Sequence, residues 1–370
     1  MTAGVRRVRY GMALVYAFAA SAALLLLVAL VASSAETDRA DESANRRIVV
    51  FRDGLRQGEM MAVANIAGAE TIHDLTFINA VALRLSPEAE AAFAANPNVL
   101  RIDDDPLVNW LAAVDGQVEI VDGDSQVITW NIKRVNALLA QRIAEGEKTK
   151  MVVIDTGIYS QHPDLSVAGG KSFVSYTTSW SDDNGHGTHV AGIAAAVNNE
   201  VGVLGVAPMV RLYSAKVLNF IGSGYLSDVI AGIDYAIRIG AEVINMSLGA
   251  YVDFPTMHAA VRRAYRAGIT VVCAAGNSYG GMVIYPAAYP EAIAVSATDI
   301  HNDIAYFSSI GSEVDIAAPG QDIMSTYVDV QSKSQDMPRK VAPPWLVRTW
   351  PEPWRLSFRP IRRAAGLRDS

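Results

Sequence analysis

Cysteine is almost missing: Cys273 is the only one in 370 residues, which excludes an internal disulfide framework and any metal site built from several thiolates. Charge is sparse as well. Asp, Glu, Lys and Arg make up 19% of the chain, and the formal net charge of -7 is spread along it. No basic patch points to nucleic acid as a partner, and no acidic run forms a solvated tail. Stability must come from packing, or from a metal held by oxygen. Apolar residues are plentiful, at 51%, so the chain can bury at least one large core, and its length suggests two domains.

The N-terminus carries an address. Arg6, Arg7 and Arg9 precede an uncharged run from Tyr10 to Ala35 that ends in "ALLLLVALVASSA". A basic start, an apolar middle and a small-residue exit are the parts of a secretory signal, with cleavage after Ala35. The run is also long enough to span about 30 Å of hydrocarbon, so an uncleaved anchor is the competing reading. Either way the rest of the chain lies outside the cytoplasm, and a membrane is a partner only if the segment is retained.

Beyond a polar link, residues 46–110 read as a small α+β unit. "RRIVVF" and "AVALRLS" are strands, "GEMMAVANIAGA" has helical spacing, and "SPEAEAAFAANP" is a helix capped by Ser86 with Pro87 at its first position. "NVLRIDDD" is a further strand. A second link, "AAVDGQVEIVDGDS", has little periodicity. From Gln126 the texture changes: "KMVVIDTGI", "VRLYSAKVL", "AEVINMSLG", "GITVVCAAGN" and "AIAVSATD" are continuous apolar runs, alternating with helical segments such as "HVAGIAAAV" and "LSDVIAGIDYAIRIG". Strands buried on both faces and joined by helices imply a parallel α/β sheet, with function at the carboxyl ends of its strands.

Three strand ends carry polar groups that a core does not require. Asp155 closes "VVID"; alone it reads as a turn or cap residue. In "DDNGHGTHVAG", residues 182–192, two histidines among glycines open an apolar helix. Free N–H groups and the macrodipole there disfavour an imidazolium, so His186 suits proton acceptance. A zinc pair or a capping histidine are the alternatives, and zinc lacks a third ligand near His186 and His189. Asn277 follows the strand "VVCAAG", where its amide is placed to donate to an oxyanion or simply to make a turn.

Taken together, "VVIDTGI", "NGHGTHVAGI" and "VVCAAGN" resemble the subtilisin-like serine proteases, the subtilase family. The likeness continues through "HPDL", "GVLGVAP", "LYSAKVL", "VINMSLG", "YPAAYPEAIAV" and "VDIAAPG", roughly Gln126 to Tyr327. It implies a doubly wound parallel α/β sheet, preceded by a propeptide domain at 46–110 that acts as intramolecular chaperone and inhibitor. It also implies roles: Asp155 orients the imidazole, His186 is the general base, Asn277 donates to the oxyanion, and His189 is a structural neighbour. Gly222, Ser223 and Gly224, with Ser247, Leu248 and Gly249, match two backbone segments that hold an extended polypeptide substrate between them. Ala275 and Gly276 match one wall of the P1 pocket. A structural calcium site is implied by Gln126, Asp164 and Asn199 with the carbonyls of Val197, Val201 and Val203, an oxygen shell suited to that ion.

The likeness then breaks. The family next supplies the nucleophile in "GTSMA", and no such motif follows Tyr327; Ser332, Ser334, Ser357 and Ser370 have no glycine turn and no apolar helix behind them. From Gln331 to Ser370 there are nine Lys plus Arg against three Asp plus Glu, six of the 15 prolines and three of the six tryptophans, which marks an abrupt change of composition. The genetic code explains the change. When the third base of each codon is joined to the first two of the next, the junctions from Val341/Ala342 onward permit "GTSMAxPHVAG", with ten specified positions met and none contradicted. The serine codon then straddles Pro343 and Pro344. Residues 126–330 therefore read as a truncated catalytic domain and 331–370 as an out-of-frame tail, too rich in proline to form the buried helix expected there. An ordinary pseudoprotease with a peptide-binding groove, or a different hydrolase reusing the acid and base, predicts no hidden motif.

Overall fold

The computed structural model describes residues 45–66, 69–111 and 125–328, together with the backbone of 341–342. The leader at 1–35 and the tail beyond Ala342 lie outside the described residues. Among the described residues no helix is long and apolar enough to cross a membrane.

The first unit is a four-stranded antiparallel sheet in the order β2-β3-β1-β4, from β1 (Arg46–Phe51), β2 (Glu70–Leu75), β3 (Ala80–Arg84) and β4 (Val99–Asp104). Its helices, Gln57–Ile66 and Pro87–Ala94, cover one face and close a core around Phe51, Leu83 and Phe93. The second helix starts as its sequence requires: Ser86 Oγ accepts the Ala89 N–H at 3.2 Å, and Pro87 follows.

The second unit is a seven-stranded parallel sheet ordered β13-β12-β11-β10-β6-β8-β7: β6 (Lys150–Asp155), β7 (Val167–Ser172), β8 (Arg211–Lys216), β10 (Val243–Met246), β11 (Thr270–Ala274), β12 (Ala292–Thr298) and β13 (Ile316–Pro319). Successive side chains of a strand point to opposite faces. Val152 and Ile154 accordingly join the core beneath helices Leu226–Arg238 and Pro255–Arg266, while Val153 joins the one beneath helix His186–Ala195. Helix Leu226–Arg238 buries Leu226, Val229, Ile230, Ile233 and Ala236, each larger side chain contributing about 1.5–3 kcal/mol. It ends at Gly240, whose φ of +65° only glycine adopts at little cost, with the Gly240 N–H on the Ile237 carbonyl. Cys273, in β11 inside the sheet, is buried, and burial pushes its thiol far up.

The two units meet at the N-terminus of that helix. Arg46 donates to Asp105 Oδ2 at 2.8 Å and to Ser227 Oγ at 2.9 Å, and lies 3.3 Å from Asp228 Oδ1. Asp105 accepts the Ser227 N–H at 2.8 Å, and His73 Nε2 lies 2.7 Å from Asp228 Oδ1. Burial pushes the Asp228 carboxyl upward in spite of His73 and Arg46. A buried ion pair broken on one side leaves an uncompensated charge. Arg46→Met should therefore destabilise the 370-residue chain by about 3–5 kcal/mol, read as a lower denaturant midpoint; an unchanged midpoint would show that the network contributes nothing.

Candidate active site

Asp155 is the last residue of β6 and is fully buried, and His186 is the first of its helix. His186 Nδ1 lies 2.8 Å from Asp155 Oδ1 and 3.0 Å from Oδ2. Glycine permits the approach: a Cβ on Gly187 would sit 2.1 Å from the Gly157 carbonyl oxygen, so any side chain there would drive the helix off the strand end.

A second carboxylate, Asp182, fastens this junction. Its Oδ1 accepts the Thr156 hydroxyl at 2.9 Å and the N–H groups of Asn184 and Gly185 at 3.0 Å each. Its Oδ2 accepts the Thr188 N–H at 2.9 Å and the Thr188 hydroxyl at 2.6 Å. Thr156 Oγ1 in turn accepts the Gly187 N–H at 2.9 Å. On the far side of β6, buried Lys216 donates to the Thr156 carbonyl at 2.6 Å and to Asp183 Oδ1 at 2.6 Å. Asp182, Thr156, Thr188 and Lys216 carry no local signal of this role, although Asp182 opens the motif that contains His186.

The electrostatics distinguish the two histidines. Lost hydration pulls His186 down, but the Asp155 charge, the hydrogen bond to Asp155 and the Asp182 charge outweigh it, and the net shift is upward. The expectation that a helix N-terminus disfavours the imidazolium is thus overridden by two acids close to the ring. His189 is pushed down to about 4 by burial and by His186, with Nε2 3.0 Å from the Ile323 carbonyl. A neutral His189 donates there and is a structural group.

The expected substrate segments flank a strand of the chain itself. β5 (Leu107–Asn109) pairs antiparallel with β9 (Ser223–Tyr225), Val108 facing Gly224 and Asn109 facing Ser223. The Trp110 N–H donates to the Gly222 carbonyl at 3.1 Å, and the Trp110 carbonyl accepts the Gly249 N–H at 3.0 Å. The Trp110 ring is buried, with Nε1 donating to the Gly224 carbonyl at 2.8 Å. Gly222–Gly224 and Gly249 therefore hold an extended peptide by backbone hydrogen bonds, with Leu248 in the adjoining core. Asn277, half-buried, stands three residues beyond β11 at the same edge of the sheet as Asp155.

Residues 146–342 match the model of the Subtilase family. The chain belongs to the subtilase family. It is 40% identical over 321 residues to the M-protease of Shouchella clausii, covering 83% of this chain and 80% of that protein. Subtilisin Savinase of Lederbergia lenta is 48% identical over 204 residues, 55% of this chain and 76% of Savinase. Subtilisin NAT of Bacillus subtilis subsp. natto is 38% identical over 315 residues, 82% of this chain and 79% of its own. By family this subtilase is a serine-type endopeptidase.

The expected calcium ligands of this subtilase also gather. Asp164 Oδ2 accepts the Val203 N–H at 2.8 Å, and Oδ1 the Asn199 amide at 3.1 Å. Gln126 Nε2 donates to the carbonyls of Val197 at 2.7 Å and Val203 at 3.2 Å, while the Val201 N–H donates to Asn199 Oδ1 at 2.8 Å. Burial pushes the Asp164 carboxyl up to about 7, a cost that a cation beside it would offset. The donor set, one carboxylate with amide and backbone oxygens, fits a hard cation. Among the described residues no three His, Cys, Asp or Glu side chains form a metal cluster.

Proposed function

We propose that the gene encodes a secreted serine endopeptidase whose nucleophile has been lost from this chain by a shift of reading frame. The observation that carries it is the Asp155–His186 pair at the carboxyl edge of the sheet, beside a groove that already holds an extended peptide. Asp155 fixes the imidazole with Nδ1 toward it and stabilises the positive charge that forms on proton transfer. Nε2 is left to take the serine proton and return it to the leaving amine. Asn277 donates to the tetrahedral oxyanion. The displaced serine codon straddles Pro343 and Pro344, directly after β15 (Val341–Ala342), which pairs with β14 (Ser325–Thr326). Thr326 Oγ1 donates to the Thr188 carbonyl, so β14 runs beside the helix that starts at His186.

In this reading residues 46–110 are a propeptide, and the strand running on to Leu111 blocks the groove until it is cut. The test is to restore the frame, express the full chain and assay peptide hydrolysis with and without a serine-directed inhibitor. The occupied groove also favours a second reading, a pseudoprotease that binds peptide without cutting it; a folded, frame-restored chain with no inhibitor-sensitive activity would select that one.

Two results follow from the roles assigned. In the restored enzyme Asn277→Ala should lower kcat by about 10²–10³ with little change in KM, because the donor acts mainly on the transition state; an equal rise in KM would show that it binds substrate instead. Gln126, Asp164 and Asn199, with the carbonyls of Val197, Val201 and Val203, would hold structural calcium. Calcium at about 100 times its Kd adds about 2.7 kcal/mol to a fold that alone binds it. Chelation should lower the Tm, and Asp164→Ala should abolish the response; a melting curve indifferent to chelator would remove calcium from the site.

A further inference from the structure

A third segment fills the space between Ala275–Gly276, the wall matched to the P1 pocket, and Gly249 of the peptide-holding segment. Ile284 is 7% exposed, and its side chain lies between them. A Cβ on Gly249 would stand 2.5 Å from Ile284 Cδ1 and 2.7 Å from Cγ1, and a Cβ on Gly276 2.8 Å from Cγ1 and 2.9 Å from Cδ1. The Ile284 branch therefore rests on the bare backbone of both walls. The backbone holds it there: the Ile284 N–H donates to the Ala275 carbonyl at 3.0 Å, and Tyr285 exchanges both backbone hydrogen bonds with Ala250, at 2.9 and 2.8 Å. Each strut pins the segment to one wall, which fixes the Ile284 backbone between them.

We infer that Ile284 closes the floor of the P1 pocket, making this an endopeptidase that cleaves after small residues, alanine, glycine or serine, and rejects aromatic and long P1 side chains. The inference rests on the reading of Ala275–Gly276 as one wall of that pocket, with Gly249 lying opposite it across Ile284. Well-packed protein interiors leave no room for a second large group, and forcing extra methylenes into them displaces side chains and backbone. The chain's own sequence is consistent with the restriction. The strand held in the groove reaches Leu111, and the next two residues are Ala112 and Ala113, the first small pair after the buried Trp110. Maturation should cut after one of them.

The experiment uses the full frame-restored chain, its I284G variant and peptides that differ only at P1, carrying Ala, Leu or Phe. A single methylene in an apolar pocket discriminates by about 10- to 200-fold, so kcat/KM for the Ala peptide should exceed that for Phe by at least about 100-fold. I284G should reverse the order, and the mature N-terminus of the parent should be Ala113 or Val114. A parent that prefers Phe or Leu, with I284G changing nothing, would overturn the inference. Loss of hydrolysis for every peptide would count against the protease reading, and binding of the same peptides would then decide the pocket: tighter Ala in the parent and tighter Phe in I284G supports it, and equal affinities overturn it.

Discussion

Restoring the reading frame between Gln331 and Gln335 is expected to raise peptide hydrolysis about 10⁶-fold, the factor by which loss of the serine lowers kcat in a protease of this family. The size of the effect comes from how the machinery divides its work. In the proposed mechanism the Asp155–His186 pair prepares a base, and a base without a nucleophile would leave only the binding groove and the oxyanion donor to act on bound water. Those retain about 10³–10⁴ of rate enhancement over the uncatalysed reaction, so some slow turnover in the chain as it stands would not contradict the reading. The gain should vanish with a serine-directed inhibitor. A restored chain that is folded by circular dichroism and still shows no inhibitor-sensitive cleavage would refute it.

In that enzyme Asp155→Asn should cost about 10⁴ in kcat, because an amide presents an N–H where Nδ1–H needs an acceptor and so favours the wrong tautomer. Asp155 lies fully buried with its oxygens 2.8 and 3.0 Å from the ring, and among the described residues no other carboxylate bonds that nitrogen. The pH profile gives a second readout. Catalysis needs neutral His186, whose pKa is raised, so kcat/KM should fall as pH drops through that raised value. Without the Asp155 charge the lowering by burial is opposed by Asp182 alone, and the acid limb should move to lower pH. A limb that stays in place would assign the titration to another group.

What could be read from the chain beforehand followed from how completely each element is buried. β6, β8, β10, β11 and β12 sit inside the sheet with a neighbour on either side, and their unbroken apolar runs announce it. β7 and β13 are its two edges, and "VAGGKS" and "IAAP" carry no such run, since an edge strand is packed less and tolerates glycine and proline. β2, "ETIHDL", escaped for a related reason: most of it is only half-buried, and its register slips between Thr71 and His73. Asp155 and His186 were legible because their glycine-flanked settings are uncommon for core residues. Asp182 was not, because its worth lies in five hydrogen bonds to groups that come together only when strand and helix meet. Ile284 reads as an ordinary apolar residue until the two glycines it covers are seen to face each other.

The lone thiol inside the parallel sheet makes the molecule its own stopwatch. Cys273 is 1% exposed, and burial keeps it protonated, so a thiolate-seeking reagent finds nothing to attack while β11 holds its place between β10 and β12. Every labelled molecule is then one whose sheet has come apart, and the labelling rate counts those excursions one by one without any engineered probe.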